Sequence, residues 1–124
     1  MTTKTTNIIN WSLAGVVGFI FISSAMSKFF GGEETLQMAK GIGLSAESFQ
    51  VIGIVEFVSV MLFLVPRTGI IGTLLLAAYM GGAIAIHISH GQSIIAPAII
   101  EAIIWIAALV RFPELKHRIL HSNK

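Results

Sequence analysis

The sequence has no cysteine and very little charge. Without thiols it has no disulfides, no thiolate metal sites and no dithiol redox pair. Charged residues make up 11% of the 124 positions, against roughly 25% in a soluble domain. So few charges cannot cover a water-facing surface of this size. The net charge of +2 is scattered along the chain. That is too thin a footprint for nucleic acid, whose binding takes clustered lysine and arginine.

What is present is apolar. Hydrophobic residues are 55% of the chain, and the mean hydropathy is +0.87 with a pI near 9.3. Four runs stand out: Ile8 to Met26, Phe49 to Val65, Thr68 to Ile88 and Ile94 to Val110. Each approaches the ~20 residues that cross a ~30 Å hydrocarbon core. A backbone in lipid must satisfy its own hydrogen bonds, so helices are expected; barrel strands would alternate, and these runs do not. The first run exceeds the h-region of about 7–15 residues in a cleaved signal peptide, so it is expected to stay as a span. The fold class expected is all-α: an integral membrane four-helix bundle in one domain, residues 1–124, with helices at about 8–29, 47–65, 68–89 and 94–111.

The breaks carry turn chemistry. Gly31 and Gly32 end the first helix. The segment from Glu33 to Ser48 mixes Leu36, Met38, Ile42 and Leu44 with Glu34, Gln37 and Lys40. It reads as a short amphipathic helix at the membrane interface, ended by Gly41-Ile42-Gly43. Ser45 is placed to cap the second helix, with Ser48 at its third position. Pro66-Arg67-Thr68-Gly69 and His90-Gly91-Gln92-Ser93 read as tight turns. Phe112-Pro113-Glu114 ends the fourth helix, and a polar tail follows. Pro97 is expected to kink the fourth helix near Glu101.

Positive charge divides unevenly across these spans. Lys4, Arg67, Arg111, Lys116, Arg118 and Lys124 fall on the side of the termini, with only Lys28 and Lys40 opposite. The positive-inside rule then puts both termini in the cytoplasm of a plasma (inner) membrane, with the Glu33-Glu34 loop and the His90 turn outside. Trp11 and Phe112 are expected as interfacial aromatics near the cytoplasmic ends.

Ionisable residues inside spans cost about 2.5–3.5 kcal/mol each even on lenient scales, so each needs a reason. Glu56, Glu101, His87 and Lys28 come from four different helices and share the outer half. They would converge on one polar pocket, where Lys28 would pair with Glu56 or Glu101. Tyr79 and Trp105 lie nearby in the sequence pattern, Tyr79 as a core hydroxyl and Trp105 as a packing or stacking ring. Ser23, Ser24 and Ser27, with Gly53, Gly81 and Gly82, are candidates for close helix packing. Each acid equally suits a structural role, holding helices in register. His87 and His90, three residues apart, are too small a set to define a metal site, and none is assigned.

Four segments together carry a family likeness: Ser24-Ala25-Met26-Ser27-Lys28-Phe29, Gly53-Ile54-Val55-Glu56, Pro66-Arg67-Thr68-Gly69, and Ala78-Tyr79-Met80-Gly81-Gly82-Ala83 followed by His87. In this order and spacing, over roughly residues 8–110, the chain resembles the DoxX-like family of small four-helix membrane proteins. The resemblance implies a four-span bundle and a role beside membrane oxidoreductases, some linked to quinone chemistry or oxidative stress. Some eukaryotic relatives look like assembly factors. The family pattern falls on Lys28, Gly53, Glu56, Gly81, Gly82 and His87; Glu101 has no counterpart in it.

Three functions are compatible with these residues. The first is a redox-associated subunit that binds a quinone or similar apolar ring, with Lys28 and His87 donating to ligand oxygens and Glu56 relaying a proton. The second is a non-catalytic membrane assembly or interaction protein that docks membrane or peripheral partners. The third is a small transporter built as a homo-oligomer. No heme-ligand pair or flavin motif is present, so the sequence names no catalytic residue and no cofactor beyond a possible quinone.

Overall fold

The computed structural model describes residues 2–120; Lys124, counted above as a topology marker, lies outside the described residues. The elements are α1 (Thr3–Phe30), α2 (Gly32–Gly41), α3 (Ala46–Leu64), a 3-10 turn (Pro66–Thr68), α4 (Gly69–Ser89), α5 (Ile95–Arg111) and α6 (Pro113–Leu120). α1 packs on α3, α3 on α4, α4 on α5, and α5 back on α1, which closes a four-helix ring. Its core is Val17, Phe21, Val60, Phe63, Leu76, Met80, Ile104 and Phe112 with the small residues Ala107 and Ala108. Outside the ring, Phe19, Ile54, Ile71, Leu74, Ile99 and Ile106 are all exposed. Water would penalise that surface; a hydrocarbon solvent would not. By length and composition α1, α3 and α4 can each cross a membrane, and α5 makes a fourth span if the bent pair α5–α6 counts as one. The molecule is a small helical membrane bundle.

Local chemistry sets the ends. Thr2 caps α1 by accepting from the Thr5 N–H at 3.1 Å, which starts the helix ahead of the first apolar run at Ile8. Ser45 caps α3 by accepting from the Ser48 N–H at 3.1 Å, as its spacing predicts. The Thr35 hydroxyl donates to the Ser27 carbonyl at 2.9 Å and fastens α2 to the last turn of α1. Gly43 turns the chain from α2 into α3 at φ 75°, a conformation that favours glycine. The His90 ring packs on its open side, and a Cβ there would lie 2.8 Å from Nε2.

Several expectations are corrected. Pro97 is the third residue of α5, in the first turn, where a missing N–H breaks no helical bond; it does not kink the helix beside Glu101. The polar tail after Phe112 is helical: Pro113 opens α6, which turns 106° away from α5. Proline reads as a stop, but at a first helical position it is also a start. Phe112 is no interfacial ring; it is buried in the core, edge-on to Phe63 at 5.9 Å between centroids.

The glycines divide differently from the expectation. Gly53 is close-packed, since a Cβ would sit 3.1 Å from the Lys28 Cβ. Gly81 and Gly82 are not: a Cβ at either meets nothing within 4 Å. Within the four-helix ring the close approaches are at Gly72, where a Cβ would collide with the Phe63 backbone, and at Gly69, where it would collide with the Phe112 ring. α3 and α4 are therefore pressed together at the Pro66 end of the bundle. Towards the α2 end a cavity lies between them.

Candidate functional site

That cavity has a volume of about 660 Å3. Its walls are Ile52 and Phe49 of α3 and Ala78, Gly82 and Ile86 of α4. Met38 and Ile42, from α2 and its exit, close the top. The Gln92 amide donates to the Gly41 carbonyl at 3.1 Å, which ties this roof to the turn between α4 and α5. The lining is apolar except at a few points, the usual composition of a small-molecule site.

Besides Gln37, His87 and Gln92, the polar points of the lining are Lys28 and Tyr79. The Lys28 ammonium donates to Glu56 Oε1 at 3.0 Å and to Ser24 Oγ at 2.6 Å. Ser24 lies one turn back on α1, so the helix itself presents both groups to α3. The pair is well buried, with side-chain exposures of 9% for Lys28 and 2% for Glu56. The absence of a side chain at Gly53 is what lets α1 come this close to α3. The Phe49 ring lies 5.3 Å from the ammonium and adds a cation–π contact. From α4, the Tyr79 hydroxyl approaches the Glu56 carboxylate, and its ring meets Phe21 edge-on at 6.2 Å. Lys28 and Tyr79 reach the cavity, while Glu56 sits behind them.

His87 lines the same cavity about two turns beyond Tyr79 on α4. Its Nδ1 is 2.6 Å from the Ala83 carbonyl. A carbonyl only accepts, so Nδ1 carries the hydrogen, and in the neutral ring Nε2 is left as an acceptor.

Glu101 and Trp105 do not join this cluster. They bond each other along α5, the indole Nε1 donating to Glu101 Oε1 at 3.0 Å, and neither lines the cavity. Lys28 therefore pairs with Glu56, not Glu101. Glu101 Oε2 is buried without a hydrogen-bond partner. Among the described residues no group of three or more metal-ligating side chains comes together; His90 Nδ1 instead bonds Ser89 and the Ile86 carbonyl.

A protein-family model described as the DoxX-like family matches residues 12–110. The chain belongs to the DoxX-like family. The match encloses Lys28, Glu56, Tyr79 and His87, and this DoxX-like chain is a multi-pass membrane protein in contact with the lipid bilayer. No curated protein and no solved structure matches the chain significantly.

The DoxX-like bundle holds a second buried cation at its opposite end. The charge pattern makes Arg111 a topology marker, yet it is only 7% exposed. Its guanidinium donates to Asn10 Oδ1 at 2.8 Å and to the Phe63 and Leu64 carbonyls at 3.4 and 3.2 Å. Trp11, Phe63 and Phe112 surround it at 5.2–5.4 Å. It thus caps the negative end of α3 from the last turn of α5. Asn10 was visible as the one strongly polar residue in the first apolar run. The roof over the cavity was foreshadowed by the amphipathic pattern of 33–48, although that pattern pointed to the membrane interface and not to Lys28.

Proposed function

We propose that this DoxX-like protein is a redox-associated membrane subunit that binds a quinone, or a similar neutral apolar ring, in the cavity beneath α2. The observation that carries the reading is the Lys28–Glu56 pair beside a mostly apolar space large enough for a ring. An ammonium has three N–H donors, and Glu56 and Ser24 engage two. The third serves a ligand carbonyl. His87 Nε2, as an acceptor, takes the hydrogen bond of a ligand hydroxyl, which reverses the donor role first expected of it. A quinone and its quinol present these two groups in turn. Glu56, behind Lys28 and Tyr79, is placed to exchange a proton with either. Catalysis belongs to the partner oxidoreductase in this reading; the chain supplies binding, orientation and a proton path. The protein resides in the plasma (inner) membrane with both termini cytoplasmic, although burial of Arg111 removes one charge from the bias behind that orientation.

The test is thermal stability of the purified protein in mild detergent against a panel of quinones, for wild type, His87→Phe and Glu56→Gln. Native-state binding raises stability by about 2.7 kcal/mol at a hundredfold excess over Kd. A shift with quinones in wild type that is lost in His87→Phe supports the reading. No shift with any quinone rejects it and leaves the polar cluster as a structural fastening.

A further inference from the structure

The cavity has two boundaries of different character. On the α2 side it is roofed by a helix fastened at both ends, by Thr35 to Ser27 and by Gln92 to Gly41. On the α4 side the wall includes Ala78 and Gly82, one turn apart, both small and both exposed. Ala78 lies nine residues into a 21-residue helix. At 1.5 Å per residue this is about 14 Å from one end, the middle of the hydrocarbon core. This small-residue stretch therefore lies at the depth of lipid and not of water. Below it the same face of α4 continues through the exposed residues Leu75 and Ile71, an apolar track along the bundle.

The Lys28–Glu56 pair sets a second constraint. The charge of Lys28 is already matched by Glu56 at 3.0 Å. A carboxylate or phosphate would bring an uncompensated charge into the span, at high cost in a medium without water. An uncharged carbonyl or hydroxyl needs only the hydrogen bonds on offer. We infer that the cavity is filled sideways from the bilayer, past Ala78 and Gly82, by a lipid with an uncharged oxygen-bearing head and an apolar tail that leaves along α4. This inference rests on the proposed function and adds the physical class of ligand and its route.

The experiment uses the full chain in nanodiscs and two benzoquinones that share a head, one with a decyl tail and one without. Binding is measured for wild type, Gly82→Phe and Gly81→Phe. Neither position has a neighbour for an added Cβ within 4 Å, but only Gly82 lines the cavity. Each buried methylene contributes about fourfold to affinity, so a blocked tail path loses at least about tenfold. Gly82→Phe should remove that advantage of the tailed compound, and Gly81→Phe should keep it. Gly82→Leu replaces Gly82→Phe if the larger ring unfolds the bundle. Undiminished preference for the tailed compound in Gly82→Phe overturns the route while the binding site stands. Equal loss of both compounds makes Gly82 part of the head pocket and also overturns it. Absence of binding to wild type rejects the proposed function and the route together.

Discussion

The two ends of this bundle each bury a cation, and they do so by opposite means. At the α2 end Lys28 meets a carboxylate, and beside the pair α3 and α4 stand apart around a cavity. At the Pro66 end Arg111 meets carbonyls, an amide and three aromatic rings, and the helices are in contact through Gly72 and Gly69. A buried charge is thus a poor marker of a ligand site by itself. Arg111 directs three hydrogen bonds into the fold, and its buried Nε has no partner. Lys28 keeps a donor on the wall of an open space. The difference lies in the packing around the charge.

The largest effect should come from splitting the Lys28–Glu56 pair. Lys28→Met leaves a buried carboxylate without its partner and should cost about 3–5 kcal/mol in unfolding free energy, measured in mixed micelles. Lys28→Met combined with Glu56→Leu should recover most of that loss. If the double variant is as unstable as the single one, the pair is not an isolated ionic unit. Next is Gly72→Leu, which should destabilise by about 1–3 kcal/mol because the Phe63 backbone cannot yield as a side chain would. An unchanged melting temperature in that variant would mean that the Pro66 end is looser than the structure has it. The smallest effect is expected for Asn10→Ala, about 1.5 kcal/mol, for one hydrogen bond to a charged group. This change should leave quinone binding untouched, because the two ends share no residue of the site.

Much of the fold was legible because lipid imposes a simple rule. Long apolar runs become helices, and Ser45 announces the start of α3 in its own spacing. The start of α6 was hidden because Pro113 carries the same signature at a helix end and at a helix beginning. In the site, Lys28 pairs with Glu56, Tyr79 approaches that carboxylate, and His87 lines the same cavity. Glu101 and Trp105 have a suitable depth too, but their position around α5 takes them elsewhere; depth is readable from a hydropathy plot, and helix rotation in a uniformly apolar span is not. The glycines teach the same point. Gly72 and Gly82 are alike on paper, ten residues apart on one helix, yet one touches a backbone and the other an open space. Arg111 is bound to carbonyls 47 and 48 residues away, which no local pattern records.

The right-angled corner after Phe112 has a mechanical consequence for the surrounding bilayer. α5 has 17 residues, about 25 Å of helix, and α6 turns away instead of extending it. A hydrocarbon layer of ~30 Å is thicker than that. The membrane beside α5 must thin, or the corner must sink below the headgroups, at a cost of fractions of a kcal/mol per Å. The protein should therefore prefer thin membranes and carry a dimple in the lipid on one flank.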